Sequence, residues 1–390
     1  MTRAMHLAFV PLVDAAPLIV AQELGFAAEE GLSLILQRCQ AWAQVRDLLG
    51  AGAVDAAHML VPIPVAQALG LGPDFPALDV LMIMSQGGQA ITVSPRLAMI
   101  MQSAGHGFAF DDPVAAGAAL LAATGGQLRL GVPFPFSTHA MIARHWLVAS
   151  GFGAWVSVHT VPPPLMAGAL AAGEVDAFCV GEPWGSVAVE AGAGVLLLAG
   201  QSIWAASPEK ALVMRHDKAD QDPAVTGALM RALWRAARWL DMPENRGTAA
   251  ELLAREPYLD LPPALTEHAL LGRFAVGPSG SLRIVPDFMR FHRGAASFPW
   301  KSTAALMADQ LARQHKLDPA QALPAAMARF RTDLYRQHLR SAGADLPGAS
   351  AKIEGAMRHP TAVASEQGQM ILPPDAFFDG WQFDPAFATR

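Results

Sequence analysis

Val161-Pro-Pro-Pro-Leu-Met-Ala-Gly-Ala-Leu-Ala-Ala-Gly-Glu-Val-Asp-Ala-Phe-Cys-Val-Gly-Glu-Pro-Trp184 reads as the end of a strand, a short helix opened by prolines, a Gly stop and a second strand. It decides the fold because it occurs twice. Leu49-Gly-Ala-Gly-Ala-Val-Asp-Ala56 repeats Leu170-Ala-Ala-Gly-Glu-Val-Asp-Ala177 at an offset of 121, and the same offset pairs Pro62 with Pro183. Two copies that far apart are no solenoid. They describe two similar α/β lobes, each carrying a helix, a tight Gly-x-Val-Asp turn and a short buried strand at the same place.

Outward from the repeat, the same grammar holds. Met5-His-Leu-Ala-Phe-Val-Pro-Leu12 parallels Leu128-Arg-Leu-Gly-Val-Pro133, each a strand followed by a loop and a helix that ends in Gly-Phe, at Gly25-Phe26 and Gly151-Phe152. The first lobe continues with strands over Leu32 to Gln37 and Val54 to Met59, and with helices over 41–49 and 62–70. Asp112-Pro113, Ser137 and Asp222-Pro223 are cap signals for helices, and Val225, Leu229, Leu233, Ala236 and Leu240 place one apolar face on the last of these. Strands alternating with helices imply parallel sheets, with ligands at their carboxyl ends. The expected division is a first segment of lobe one over 1–92, lobe two over 93–202, a return to lobe one with added helices over 203–330, and an extension over 331–390. Helices are expected at 302–315 and 319–340. The extension is Pro-rich, and Phe377, Phe378, Trp381, Phe383 and Phe387 suit a tail wrapped on the body.

Composition excludes several classes. A chain of 390 residues that is 52% hydrophobic and 16% charged, with mean hydropathy +0.27, can build a large core. A net charge of −6 argues against direct nucleic-acid binding. No run of apolar residues free of charges and breakers is long enough to span a bilayer, so no membrane insertion is expected. Cys39 and Cys179 read as reduced core thiols, without support for a disulfide or a metal site.

Enzyme motifs are missing: there is no G-x-S-x-G, P-loop, H-E-x-x-H, C-x-x-C or G-x-G-x-x-G, and no cofactor is expected. The repeated Asp55 and Asp176 read as hydrogen-bonding groups of their turns rather than catalytic acids. What remains is neutral donors at loop-to-helix junctions, a vocabulary for anions, because helix N-termini present free N–H groups and positive dipole ends. The offset of 121 carries Trp42 onto Pro163, so both occupy the turn between a strand and the repeated helix. Taken alone, Trp42 reads equally as core, His139 as a helix-terminal histidine, Lys210 as a surface lysine and Gln89 as a loop amide.

Phe9-Val-Pro-Leu-Val-Asp-Ala-Ala-Pro17, Trp42-Ala-Gln-Val-Arg-Asp47, Ala57-His-Met-Leu60, Gln89-Ala-Ile-Thr92, Ser137-Thr-His139, Val161-Pro-Pro-Pro164, Phe178-Cys-Val-Gly-Glu-Pro-Trp184 and Pro208-Glu-Lys-Ala211 occur in order. As a set they resemble the nitrate-binding proteins of nitrate/nitrite transport systems, a branch of the two-lobed type II periplasmic-binding-protein fold that also holds bicarbonate binders. The resemblance implies an α/β fold with a cleft between lobes. It implies ligand contacts from Trp42, Gln89, His139, Pro163 through its backbone, and Lys210. A lysine where the bicarbonate branch has an acid favours nitrate or nitrite. Such a site is expected to hold one cation, several neutral donors and no carboxylate beside them. Micromolar binding corresponds to about −8 kcal/mol, within reach of a few charge-assisted bonds.

The run Ala4 to Val13 lacks the flanks of a secretory signal, so a cytoplasmic protein is expected, or a periplasmic one if the N-terminus has been trimmed. A cytoplasmic member resembles the NasS-type nitrate/nitrite sensors, which hold an RNA-binding antiterminator protein inactive until the anion binds. The alternative is the binding component of a nitrate/nitrite transporter. Bicarbonate or sulfonate binding, or a biosynthetic enzyme on the same fold, ranks below both.

Overall fold

In the computed structural model, which describes residues 2–277 and 280–388, the apolar runs pair into two main sheets. The first begins with β1 (Arg3–Phe9), β2 (Leu32–Arg38), β3 (Ala56–Leu60) and β4 (Leu78–Gly87). The second consists of β5 (Gln89–Val93), β6 (Leu128–Val132), β7 (Val156–Thr160), β8 (Ala177–Gly181) and β9 (Val195–Ala199). The chain then returns to the first sheet with β10 (Pro208–Arg215). After the hairpin β11 (Arg273–Ala275) and β12 (Leu282–Ile284) it adds β13 (Met289–Arg290). A last hairpin, β14 (Thr361–Ser365) and β15 (Gly368–Leu372), belongs to the C-terminal region. The strand orders are β13-β4-β10-β3-β1-β2 and β7-β6-β8-β5-β9.

The sheets are mixed, not parallel as the alternation of strands and helices suggested. β1 runs parallel to β2 and β3, and β6 parallel to β7 and β8, but β10 is antiparallel to β3 and β4, and β5 is antiparallel to β8 and β9. The reason is connectivity. Strands joined by helical crossovers all point toward the cleft, whereas β5 starts where β4 ends, with Gly88 alone between them, and so heads away from it. Gly88 takes φ of +91°, a left-handed backbone that suits glycine. A second passage, residues 200–207, joins β9 to β10.

Local signals place the helices. Ser137 accepts from the Ala140 N–H, Asp112 from those of Val114 and Ala115, and Asp222 from that of Val225, which satisfies donors that a helix start leaves free. The repeated aspartates also act as acceptors, but toward the neighbouring strand rather than the turn. Asp55 takes the His6 N–H at 2.8 Å and Asp176 the Arg129 N–H at 3.0 Å. The helix expected over 319–340 is two, Pro319–Met327 and Thr332–Leu339. They part because Phe330 bridges Val80 and Arg331 N–H donates to the Val80 carbonyl, so backbone groups here serve the β4 edge.

Candidate functional site: a sealed polar cluster between the lobes

The carboxyl ends of β1, β3, β6 and β8 face one another, and the loops beyond them make the contacts between lobes. Val13 N–H donates to the Glu182 carbonyl at 2.9 Å, Trp184 Nε1 to the Pro11 carbonyl at 2.9 Å, and Thr138 Oγ1 to the Pro208 carbonyl at 2.8 Å. Gly181 permits this approach: a Cβ there would lie 2.9 Å from Leu12 Cδ2 and 3.7 Å from His139 Nε2. The lobes are closed on what lies between them.

What lies there is polar and buried. Lys210, in β10 beside Leu60 of β3, is fully buried. Its Nζ donates to Asp14 Oδ2 at 2.6 Å and to Glu209 Oε2 at 3.0 Å, and stands 5.4 Å from the centre of the Trp42 ring. His58 of β3 brings Nε2 to 3.2 Å from Asp14 Oδ1, with its ring 5.8 Å from that of Trp42. His139 brings Nδ1 to 3.3 Å from Glu209 Oε2, close but off the line of a hydrogen bond. Gln89 Nε2 donates to Ser207 Oγ at 2.7 Å, next to the segment that carries Glu209. Among the described residues, Trp42 Nε1, His139 Nε2, Gln89 Oε1 and Glu209 Oε1 are buried and have no hydrogen-bond partner. Unpartnered buried polar atoms are costly, so their convergence is a feature of a binding site rather than of a core.

Electrostatics follow from burial and pairing. Burial alone would raise the Asp14 carboxyl, but Lys210 and His58 pull it down to about 2. Burial pushes Glu209 up to about 7 despite the pull of Lys210, and the Asp14 charge adds to the rise. Lys210 is raised: burial disfavours its charge, and Asp14 and Glu209 more than offset that. Burial lowers both histidines, His139 well below its ordinary value with Lys210 adding to the effect, which favours the neutral ring in each. Burial also raises the Cys179 thiol well above the usual range, with Glu209 adding.

The structure thus brings Trp42, His139 and Lys210 into one cluster and ties Gln89 to it through Ser207. Two expectations need correction. Lys210 is neither a surface lysine nor a cation free of carboxylates, but a buried strand residue between two of them, because burying an ammonium demands counter-charges. Pro163, buried at the start of the turn Pro163–Leu165, has no N–H, and its carbonyl already accepts from Met166 N–H. Its backbone therefore offers an anion no donor, and no hydrogen bond or ion pair among the described residues joins it to Lys210. Sequence reasoning passed over Asp14, His58 and Glu209. Each lies inside a stretch that carries the family resemblance, which was the available signal.

The model of the NMT1-like family matches residues 1–254. The nitrate/nitrite binding protein NrtA of Synechococcus elongatus is 30% identical over 98% of this chain and 84% of its own length. The nitrate import ATP-binding protein NrtC of Synechocystis is 32% identical over 80% of this chain, which spans only 46% of that longer protein. The crystal structure of the periplasmic nitrate-binding protein NrtA from Synechocystis superposes with a TM-score of 0.84 and 26% identity, covering 99% of this chain and 97% of that one. The two-lobed fold is the same in both.

Proposed function

The chain belongs to the NMT1-like family, and on that premise we propose that it binds nitrate or nitrite in the closed cleft around Lys210. One observation carries the reading: a buried ammonium and unpartnered donors from both lobes converge at the strand ends. The anion meets Lys210 Nζ as its cation, with Trp42 Nε1 and a neutral His139 imidazole as directed donors. Rotating the Gln89 amide lets Ser207 donate to its carbonyl and frees two N–H groups for the ligand. Nitrate spreads its charge over three oxygens, which suits several moderate donors better than one strong one. The test is equilibrium titration with nitrate, nitrite, bicarbonate and taurine. Trp42→Phe keeps an aromatic ring but removes the donor, and should weaken nitrate by about tenfold, the scale of one lost hydrogen bond to a charged group. Bicarbonate bound in preference to nitrate and nitrite would overturn the anion assignment.

Two roles fit such a binder. In the first, closure is read by a protein partner: the complex with an RNA-binding antiterminator forms without anion and dissociates with it. A net charge of −6 supports a basic protein partner over RNA itself. By linkage, the partner must then weaken nitrate by the factor that nitrate weakens the partner. In the second, the protein serves an importer, a reading that the names of its relatives favour. Size-exclusion chromatography of the pair with and without nitrate, with fractionation of the native protein, separates them. A complex indifferent to the anion, or export from the cytoplasm, assigns the protein to the importer.

A further inference from the structure

The charges around Lys210 do not leave room for a bare anion. Asp14 and Glu209 both face one ammonium, at 2.6 and 3.0 Å, in a cluster sealed from water. With both carboxylates ionised the cluster already carries one excess negative charge, and a monovalent anion would add a second where the dielectric screens little. We propose that Glu209 takes up the proton that must accompany each nitrate into this site, so that the protein binds a neutral pair rather than a bare anion. The proposal rests on the nitrate reading above and adds the residue that balances its charge.

The step is a simple transfer. A proton from solvent adds to Glu209, most simply at Oε1, the oxygen with no hydrogen-bond partner among the described residues, and the resulting O–H becomes one more donor to a nitrate oxygen while Lys210 keeps its charge for the anion. No other group nearby takes the proton as readily. Asp14, from the loop after β1, is held ionised near 2 by Lys210 and His58. His58 from β3 and His139 from the facing helix are both lowered by burial, and a proton on either would place a second cation near Lys210. Cys179 from β8 holds its own proton, its thiol being pushed well above the usual range by burial. Glu209, lifted to about 7, is poised to exchange a proton at neutral pH. Glu182 is lifted to a similar value, but its carboxylate accepts from the Ser186 N–H at 3.1 Å, and among the described residues no hydrogen bond or ion pair joins it to Lys210.

The experiment titrates the full chain with sodium nitrate at fixed ionic strength from pH 5.5 to 9; nitrate stays ionised throughout, so any slope belongs to the protein. Binding should be flat below about pH 7 and weaken about tenfold per pH unit above it, as one linked proton requires. Glu209→Gln, a neutral donor of the same shape, should bind across the range with affinity that varies less than about threefold. Calorimetry of the wild type at pH 8 in buffers of different ionisation enthalpy gives a second reading that needs no variant, and about one proton taken up per nitrate is expected. Nitrate binding that is flat with pH and takes up no proton overturns the proposal alone. So does a Glu209→Gln protein that keeps the wild-type slope, since a histidine would then be the acceptor. No nitrate binding at any pH overturns the nitrate reading and this proposal together.

Discussion

Lys210 binds the fold and the proposed chemistry together. Its ammonium meets Asp14 from 196 positions away in the chain, so the charge pair pins the return strand β10 to the loop after β1. Replacing it with glutamate would set three acids side by side in a buried cluster and test folding rather than binding. Lys210→Met is the better variant. Removing one partner of a buried ion pair costs roughly 3–5 kcal/mol, so a clear fall in the melting temperature is expected, along with loss of nitrate binding. Adding Asp14→Asn should recover part of that stability, by leaving fewer unpaired charges, without restoring the ligand. Melting curves and nitrate titrations of the single and double variants check both halves. Nitrate bound by Lys210→Met with unchanged affinity would remove Lys210 from the site.

At the scale of an element, the helix Trp184–Glu190 starts over the Glu182 carboxylate, which accepts from Ser186 N–H and is fully buried. Burial raises its pKa from 4.5 to about 7. Below 4.5 the carboxyl is protonated in both the folded and the unfolded chain, so its contribution to stability is fully present there. Between 4.5 and 7 the unfolded chain ionises first and stability falls; above 7 the loss is complete. Glu182→Gln removes this dependence. At pH 8 it should be more stable than the wild type by about 2–4 kcal/mol, the shift converted at 1.36 kcal/mol per unit, and at pH 4.5 nearly equal to it. Denaturant unfolding at the two values decides the matter; a stability difference that does not change with pH would mean Glu182 ionises freely in the folded protein.

Across the whole molecule, the C-terminal region touches both lobes. Lys352 pairs with Glu354 and Asp375, and Glu354 accepts from Ser302 and Thr303 of the helix Lys301–His315, which anchors the region to the first lobe. Phe377 stacks on Trp204 at 4.8 Å and meets His145 at 5.1 Å, while Asp379 lies 3.0 Å from His145 Nε2, on the helix Thr138–Ala149 of the second lobe. Contacts that span both lobes favour the closed arrangement. Asp379→Ala should therefore weaken nitrate by about two- to fivefold, the scale of one part-exposed polar contact, with little change in melting temperature. Small-angle scattering should report a larger radius of gyration for the free variant than for the free wild type, converging when nitrate is added. Equal radii in the free forms would show that the tail takes no part in closure.

The two-lobed architecture was readable because its evidence is local and repeated. A Gly-x-Val-Asp turn at Asp55 and again at Asp176, the caps at Asp112, Ser137 and Asp222, and the amphipathic run from Val225 to Leu240 each depend on residues a few positions apart. Trp42 and Pro163 were placed at equivalent turns by the repeat alone, whereas His139 and Lys210 were marked only by the resemblance to the nitrate-binding proteins. Tertiary structure decided the rest. The break at Phe330 and Arg331 belongs to the edge of β4, and the antiparallel course of β5 and β10 to the passages between lobes. Neither leaves a periodic trace. The charge balance of the site was hidden for the same reason: Asp14 and Lys210 are distant in sequence and meet because β10 inserts between β3 and β4. Hydrophobic spacing reports which face of an element is buried; which charges meet inside depends on how the elements are assembled.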